Sequence, residues 1–134
     1  MSRQLKFRGK RVDNGEWVYG DLIQYESGEV SIFSKKLSKY GYEATEMYKR
    51  DRIIPETVGQ YTGLTDKNGK EICEGDIVRD YDEGFLYKVM FCEHYAQFMF
   101  YDYLNDDYYD NQDIAEHEII GNKHENPELL DGLW

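Results

Sequence analysis

The chain has 134 residues and a mass of 15.9 kDa, room for one domain or two small lobes sharing a core, which excludes a multidomain assembly. Leu, Ile, Val and Phe supply 30 residues and Tyr a further 13, enough buriable area for a folded protein despite the high charge. Sixteen Lys and Arg against 27 Asp and Glu give a formal charge of −11, which repels a phosphate backbone and makes nucleic acid a disfavoured partner.

The charge is uneven. Residues 1–52 hold 11 basic and 8 acidic side chains, whereas residues 53–134 hold 5 and 19. Two cysteines, Cys73 and Cys92, with no Cys-x-x-Cys pair, are too few for a disulfide scaffold or a zinc cluster. No run of about 18 apolar residues occurs, and the N-terminus lacks an apolar signal core, so neither export nor a membrane span is expected.

Alanine occurs only three times while Tyr, Phe, Ile and Val abound, a composition that favours strands. Gln4 to Gly9 reads as a short strand ending at the Asp13-Asn14-Gly15 turn. Glu16 to Tyr25 alternates, with Trp17 and Tyr19 on one face and Val18 and Leu22 on the other. Ser27-Gly28 turns the chain into a third strand, Glu29 to Phe33, completing an N-terminal meander. In residues 34–52, Ser34-Lys35-Lys36 reads as a loop, and Glu43 to Asp51 is compatible with a helical turn or a strand. Ile53-Ile54-Pro55 marks a short or edge strand and the border between an N-terminal β lobe, 1–52, and a C-terminal lobe, 53–134.

Turn signals at Asp66-Lys67-Asn68-Gly69, Glu74-Gly75-Asp76 and Asp82-Glu83-Gly84 divide the second lobe into short strands. Phe85 to Cys92, apolar on both faces, is expected to be a central strand. Tyr95 to Tyr103 follows. Asp102 to Asp113 is acidic, rich in tyrosine and not expected to pack, and a last strand covers His117 to Gly121. Asn126 before Pro127-Glu128-Leu129-Leu130 reads as an N-cap opening one helical turn closed by Gly132, with Leu129, Leu130 and Trp134 plugging an open end. The fold class is therefore mostly β: a meander lobe, a small SH3-like barrel and one short C-terminal helical turn.

Several chemistries find no support in these residues. An EF-hand register on Gly69 would place Leu64 and Gly75 at the carboxylate positions. His94, His117 and His124 lack partners at ligand spacing, and a Cys73, His117 pair would need tertiary proximity. No phosphate-binding glycine loop or nucleophile elbow occurs. No cofactor, metal or catalytic residue is assigned, and the chain is read as a non-enzyme. Arg3, Lys6, Arg8, Lys10 and Arg11 with Phe7, Trp17 and Tyr19 form the one combination suited to nucleic acid, although Lys6, Arg8 and Lys10 opposite Leu5 and Phe7 equally describe a charged edge strand.

Longer stretches carry a resemblance. Ile54-Pro55-Glu56-Thr57-Val58-Gly59-Gln60-Tyr61-Thr62-Gly63-Leu64, Asp66-Lys67-Asn68-Gly69-Lys70-Glu71-Ile72, Glu74-Gly75-Asp76-Ile77-Val78 and Ile119-Ile120-Gly121-Asn122 resemble the signature of the YopX family of phage and prophage proteins. So do Glu125-Asn126-Pro127-Glu128-Leu129-Leu130, Lys6-Phe7-Arg8 and Trp17-Val18-Tyr19-Gly20-Asp21-Leu22. The resemblance implies a phage-encoded, mostly β protein of no established activity, located in the host bacterial cytoplasm. Segment 34–52 and the acidic stretch after Asp102 carry none of the family pattern.

The function expected is a protein-interaction module for a host or phage protein, with a homo-oligomer favoured by unpaired strand edges. The candidate partner-binding residues are Asp102, Tyr103, Asp106, Asp107, Tyr108, Tyr109, Asp110 and Asp113, because tyrosines bury large area at modest entropy cost and carboxylates steer a basic partner. Alternatives are a nucleic-acid binder using the basic N-terminal strands and a metal-dependent phosphoesterase using the Asp-rich loop.

Overall fold

The computed structural model describes residues 4–37, 46–80, 84–102, 104–110 and 116–131, without the side chains of 35–37, 46–48 and 131. Strands take up 58% of the described residues in two antiparallel sheets, as the scarcity of alanine and the period-two patterns require. The chain divides into two compact units, Met1–Gln60 and Tyr61–Trp134. Among the described residues no helix is long and apolar enough to cross a membrane.

The first unit contains β1 (Phe7–Lys10), β2 (Trp17–Gln24), β3 (Val30–Leu37), β4 (Glu46–Ile53), a 3-10 turn (Pro55–Thr57) and the start of β5 (Gly59–Thr65). Alternation places Phe7, Val18 and Leu22 around the buried Val30, Ile32 and Ile53, with Val58 added from the chain before β5. Each fully buried aliphatic side chain there contributes about 1.5–3 kcal/mol. Gly20 permits the close approach of β2 to β3, since a Cβ at that position would run into the Phe33 carbonyl oxygen.

Three expectations for this unit are corrected. Ser34-Lys35-Lys36 is strand, because β3 pairs with β4 residue for residue from Val30↔Ile53 to Leu37↔Glu46 and ladder bonds override weak local propensity. β1 is no edge strand: it pairs with β2 on one side and with Gly59 and Gln60 on the other. Pro55 does not end the unit. Lacking an N–H, it opens the 3-10 turn, whose Thr57 hydroxyl accepts from Lys10 N at 2.9 Å and donates to the Ile54 carbonyl at 2.6 Å.

The meander also closes on itself. Val12 N donates to Arg52 O at 3.0 Å and Ile54 N to Lys10 O at 2.9 Å, with Arg11 bridged to Ile53, so β4 returns to the chain just after β1. The chain after β1 thus covers the end of the β4 edge, which would otherwise be unpaired there.

The second unit holds the rest of β5, then β6 (Glu71–Cys73), β7 (Asp76–Asp80), β8 (Leu86–Cys92), β9 (Gln97–Asp102), β10 (Asp107–Tyr109), β11 (His117–Asn122) and α1 (Glu128–Asp131). Five strands form an antiparallel sheet in the order β10-β9-β8-β7-β11, so β8 is central as its apolar run implied. Ile72, Val78, Tyr87, Val89 and Phe100 make the core, with Leu64, Tyr109 and Ile119 against it.

Details of the local reading change here too. Phe91, two residues beyond the buried Val89, is 41% exposed and packs edge-on against Phe98 of β9 at 5.4 Å. β9 starts at Gln97, not Tyr95, because residues 93–96 form the connecting turn with Ala96 at φ 53. Asn126 spends its side-chain oxygen on Asn122 N at 3.2 Å, and it is its backbone carbonyl that accepts from Leu129. Leu129 and Leu130 are half-buried; Gly132 and Trp134 lie outside the described residues.

Candidate interaction site on the acidic hairpin

β9 and β10 form a hairpin with Asp102↔Asp107, Tyr101↔Tyr108 and Phe100↔Tyr109 in register. Asp107–Tyr109 is therefore strand and Tyr109 reaches the core, in a stretch that was not expected to pack. Pairing β10 to β9 gives its backbone groups partners that a free loop would leave to water.

The eight residues singled out from the sequence separate into different environments. Asp102 is buried, and its carboxylate closes the turn by accepting from Leu104 N at 3.0 Å, Asn105 N at 3.4 Å and Asn105 Nδ2 at 2.8 Å. Turn chemistry requires this aspartate. Tyr109 faces inward, its ring 5.8 Å from that of Tyr87 in an edge-on contact. Asp106, Asp107 and Tyr108 are exposed, and Asp110 is half-buried. Tyr103 and Asp113 lie outside the described residues.

Alternation brings a second set of residues to the outer face. Lys88 of β8 is opposite Tyr101, and Tyr101 is opposite Tyr108, which makes a cross-strand row. The two tyrosine rings lie 4.9 Å apart at 41°, and the Lys88 ammonium is 5.9 Å from the Tyr101 ring. Burial, helped by the Lys123 charge, lowers the Lys88 pKa. Tyr101 donates its hydroxyl to Asp106 Oδ1 at 2.7 Å; that bond, with burial and the carboxylates around it, pushes the phenol up to about 12. Asp106 is held at φ 52, a left-handed turn position tolerated by Asp, and Leu104 at the tip is 52% exposed. Tyr101, Lys88 and Leu104 were absent from the sequence-derived site. The hairpin register, which sets Tyr101 beside Tyr108, was the missing information.

The competing sites fare differently. Neither ring nitrogen of the buried His117 has a hydrogen-bond partner, so His117 makes no hydrogen bond to Cys73. Among the described residues no group of three or more His, Cys, Asp or Glu is placed to hold a metal ion, which leaves the phosphoesterase reading without a ligand set there. In the first unit, Arg8 stacks 4.7 Å from the Trp17 ring centre and Lys10 lies 5.4 Å from it, so the indole is engaged by the protein's own cations. Arg8 is itself buried and withheld from phosphates.

The family model described as YopX protein matches residues 6–131, nearly the whole chain. The chain belongs to the YopX family. The crystal structure of protein EF1440 from Enterococcus faecalis is similar, with a TM-score of 0.63 and 26% sequence identity. That match covers 96% of this chain and 99% of the other. No curated protein matches this YopX-family chain.

Proposed function

We propose that this YopX-family chain is a non-enzymatic interaction module, phage- or prophage-encoded and active in the host bacterial cytoplasm, that binds a host or phage protein through the β9–β10 hairpin. The observation that carries this reading is the shelf made by the exposed Tyr108 and the half-buried Tyr101, 4.9 Å between rings, with Asp106 and Asp107 exposed beside it. Rigid aromatic area supplies contact energy at small entropic cost, and the adjoining carboxylates select a basic surface. Residues 53–134 carry a net −14, which steers such a partner from a distance and weakens as salt shortens the screening length to about 8–10 Å.

The test compares the native chain with Asp106→Asn/Asp107→Asn/Tyr108→Ala as baits in lysate of phage-infected cells. A basic protein retained by the native chain and lost from the variant supports the hairpin. Equal recovery on both baits overturns it. Self-association, through a surface other than this hairpin, is a separate part of the proposal and is tested by light scattering across a concentration range, where a monomer mass throughout counts against it.

A further inference from the structure

The five-stranded sheet has two edges, and the chain treats them differently. At the β11 edge the outward backbone groups are occupied by the turn after β5: Lys67 N donates to His117 O at 3.0 Å, and Ile119 N donates to Asp66 Oδ2 at 3.1 Å. The turn stands where another strand would, and the edge is closed. At the opposite edge β10 pairs with β9 on one side, and among the described residues no element pairs with its other side.

Resting on the reading of this hairpin as the interaction surface, we propose that the edge of β10 with which no described element pairs is a docking strand for an extended basic protein segment, which adds to Asp107–Tyr109 as a sixth strand. Backbone bonds to the outward groups of β10 provide affinity, and alternate side chains provide selectivity. Two features define the occupant. Asp106 and Asp107 are exposed beside the edge and receive a lysine or arginine of the incoming strand. Tyr108, 38% exposed and stacked on Tyr101, offers the flat side of the shelf to an aliphatic or aromatic residue on the incoming strand's shelf-side face. A second copy of this chain does not fit, because pairing two β10 edges would bring like carboxylates together.

The experiment uses the full chain and a fluorescein-labelled peptide of alternating valine and lysine. A matched peptide N-methylated at alternate residues loses the N–H groups needed for strand pairing and keeps every side chain. Fluorescence anisotropy reads affinity and amide hydrogen exchange reads the edge. Expected results are saturable binding, slowed exchange confined to Asp107–Tyr109 and the strand beside it, and at least a tenfold loss with the methylated peptide. Asp107→Asn weakens binding severalfold, whereas Asp13→Asn in the first unit leaves it unchanged. Equal affinity for the two peptides overturns strand addition while leaving the hairpin as a side-chain contact surface. Absence of binding, or binding indifferent to Asp106→Asn/Asp107→Asn, overturns the basic-strand proposal and counts against the hairpin surface as well.

Discussion

Asp66 holds Ile119 across 53 positions of chain, its Oδ2 accepting the Ile119 N–H at 3.1 Å while its Oδ1 accepts from Asn68 N and Lys70 N at 2.9 Å each. One buried carboxylate thereby shapes the turn and ties it to β11. Burial alone would raise its pKa, but the three backbone donors and the Lys70 charge outweigh that and lower it.

Replacing Asp66 with Asn keeps an oxygen for the turn and sets an amide NH2 against the Ile119 N–H. The expected cost is about 1–3 kcal/mol, that of a buried donor without an acceptor. Asp66→Ala removes all three bonds and costs more. Urea unfolding followed by tryptophan or tyrosine fluorescence checks both; a variant within ~0.5 kcal/mol of native contradicts the assignment.

The pH dependence has two windows. Burial lowers the pKa of His117, partly countered by Asp66 and Asp80, so the fold favours its neutral form. The contribution of His117 is present above its unfolded value near 6.5 and is lost as pH falls below that through the folded value. Asp66, also depressed, contributes above its ordinary value of 3.8 and loses the contribution as pH falls further. Thermal melting between pH 8 and pH 5 is expected to show the first loss, and His117→Phe to flatten it. An unchanged pH slope in that variant assigns the loss to another group.

Within the hairpin, stability and recognition are carried by different aspartates. Asp102→Ala frees two backbone donors and the Asn105 amide, at an expected cost of about 1–3 kcal/mol. Asp107→Asn, exposed, stays within about 0.5 kcal/mol of native. Replacing every aspartate from Asp102 to Asp113 at once therefore confounds folding with binding. Denaturant midpoints of the two single variants, measured side by side, check the separation, and equal midpoints would refute it.

Tyr101 should titrate late. Its hydrogen bond to Asp106 and the surrounding carboxylates place its phenol at about 12, above the ordinary 10.0. The folded state keeps the protonated form, so this contribution is full below pH 10 and disappears as pH rises through about 12. Ultraviolet titration of the phenols should show one late group that moves toward 10 in Asp106→Ala. A native profile lacking a late phenol would count against the Tyr101–Asp106 bond.

Local patterns in the sequence were sufficient where the information is local. Alternation through residues 16–25 and 85–92, scarce alanine, and the glycine and aspartate turns at 13–15 and 66–69 identify strands and reversals, because those features depend on residues two to four apart. Residues 34–36 were opaque for the complementary reason: their strand state comes from pairing with β4, and lysine and serine have little preference of their own.

Tertiary structure alone decided the rest. The closure of β4 onto residues 10–12, the burial of Arg8 and Asp102, and the meeting of Tyr101, Lys88 and Tyr108 all depend on register between strands, and a shift of one residue would have reversed every face. Composition placed carboxylates and tyrosines in one stretch. Pairing to β9 then turned Tyr109 to the core and Tyr108 to the opposite face, since an antiparallel strand sends successive side chains to opposite faces, while Asp102 went to the turn and Asp106 and Asp107 are exposed at the hairpin end.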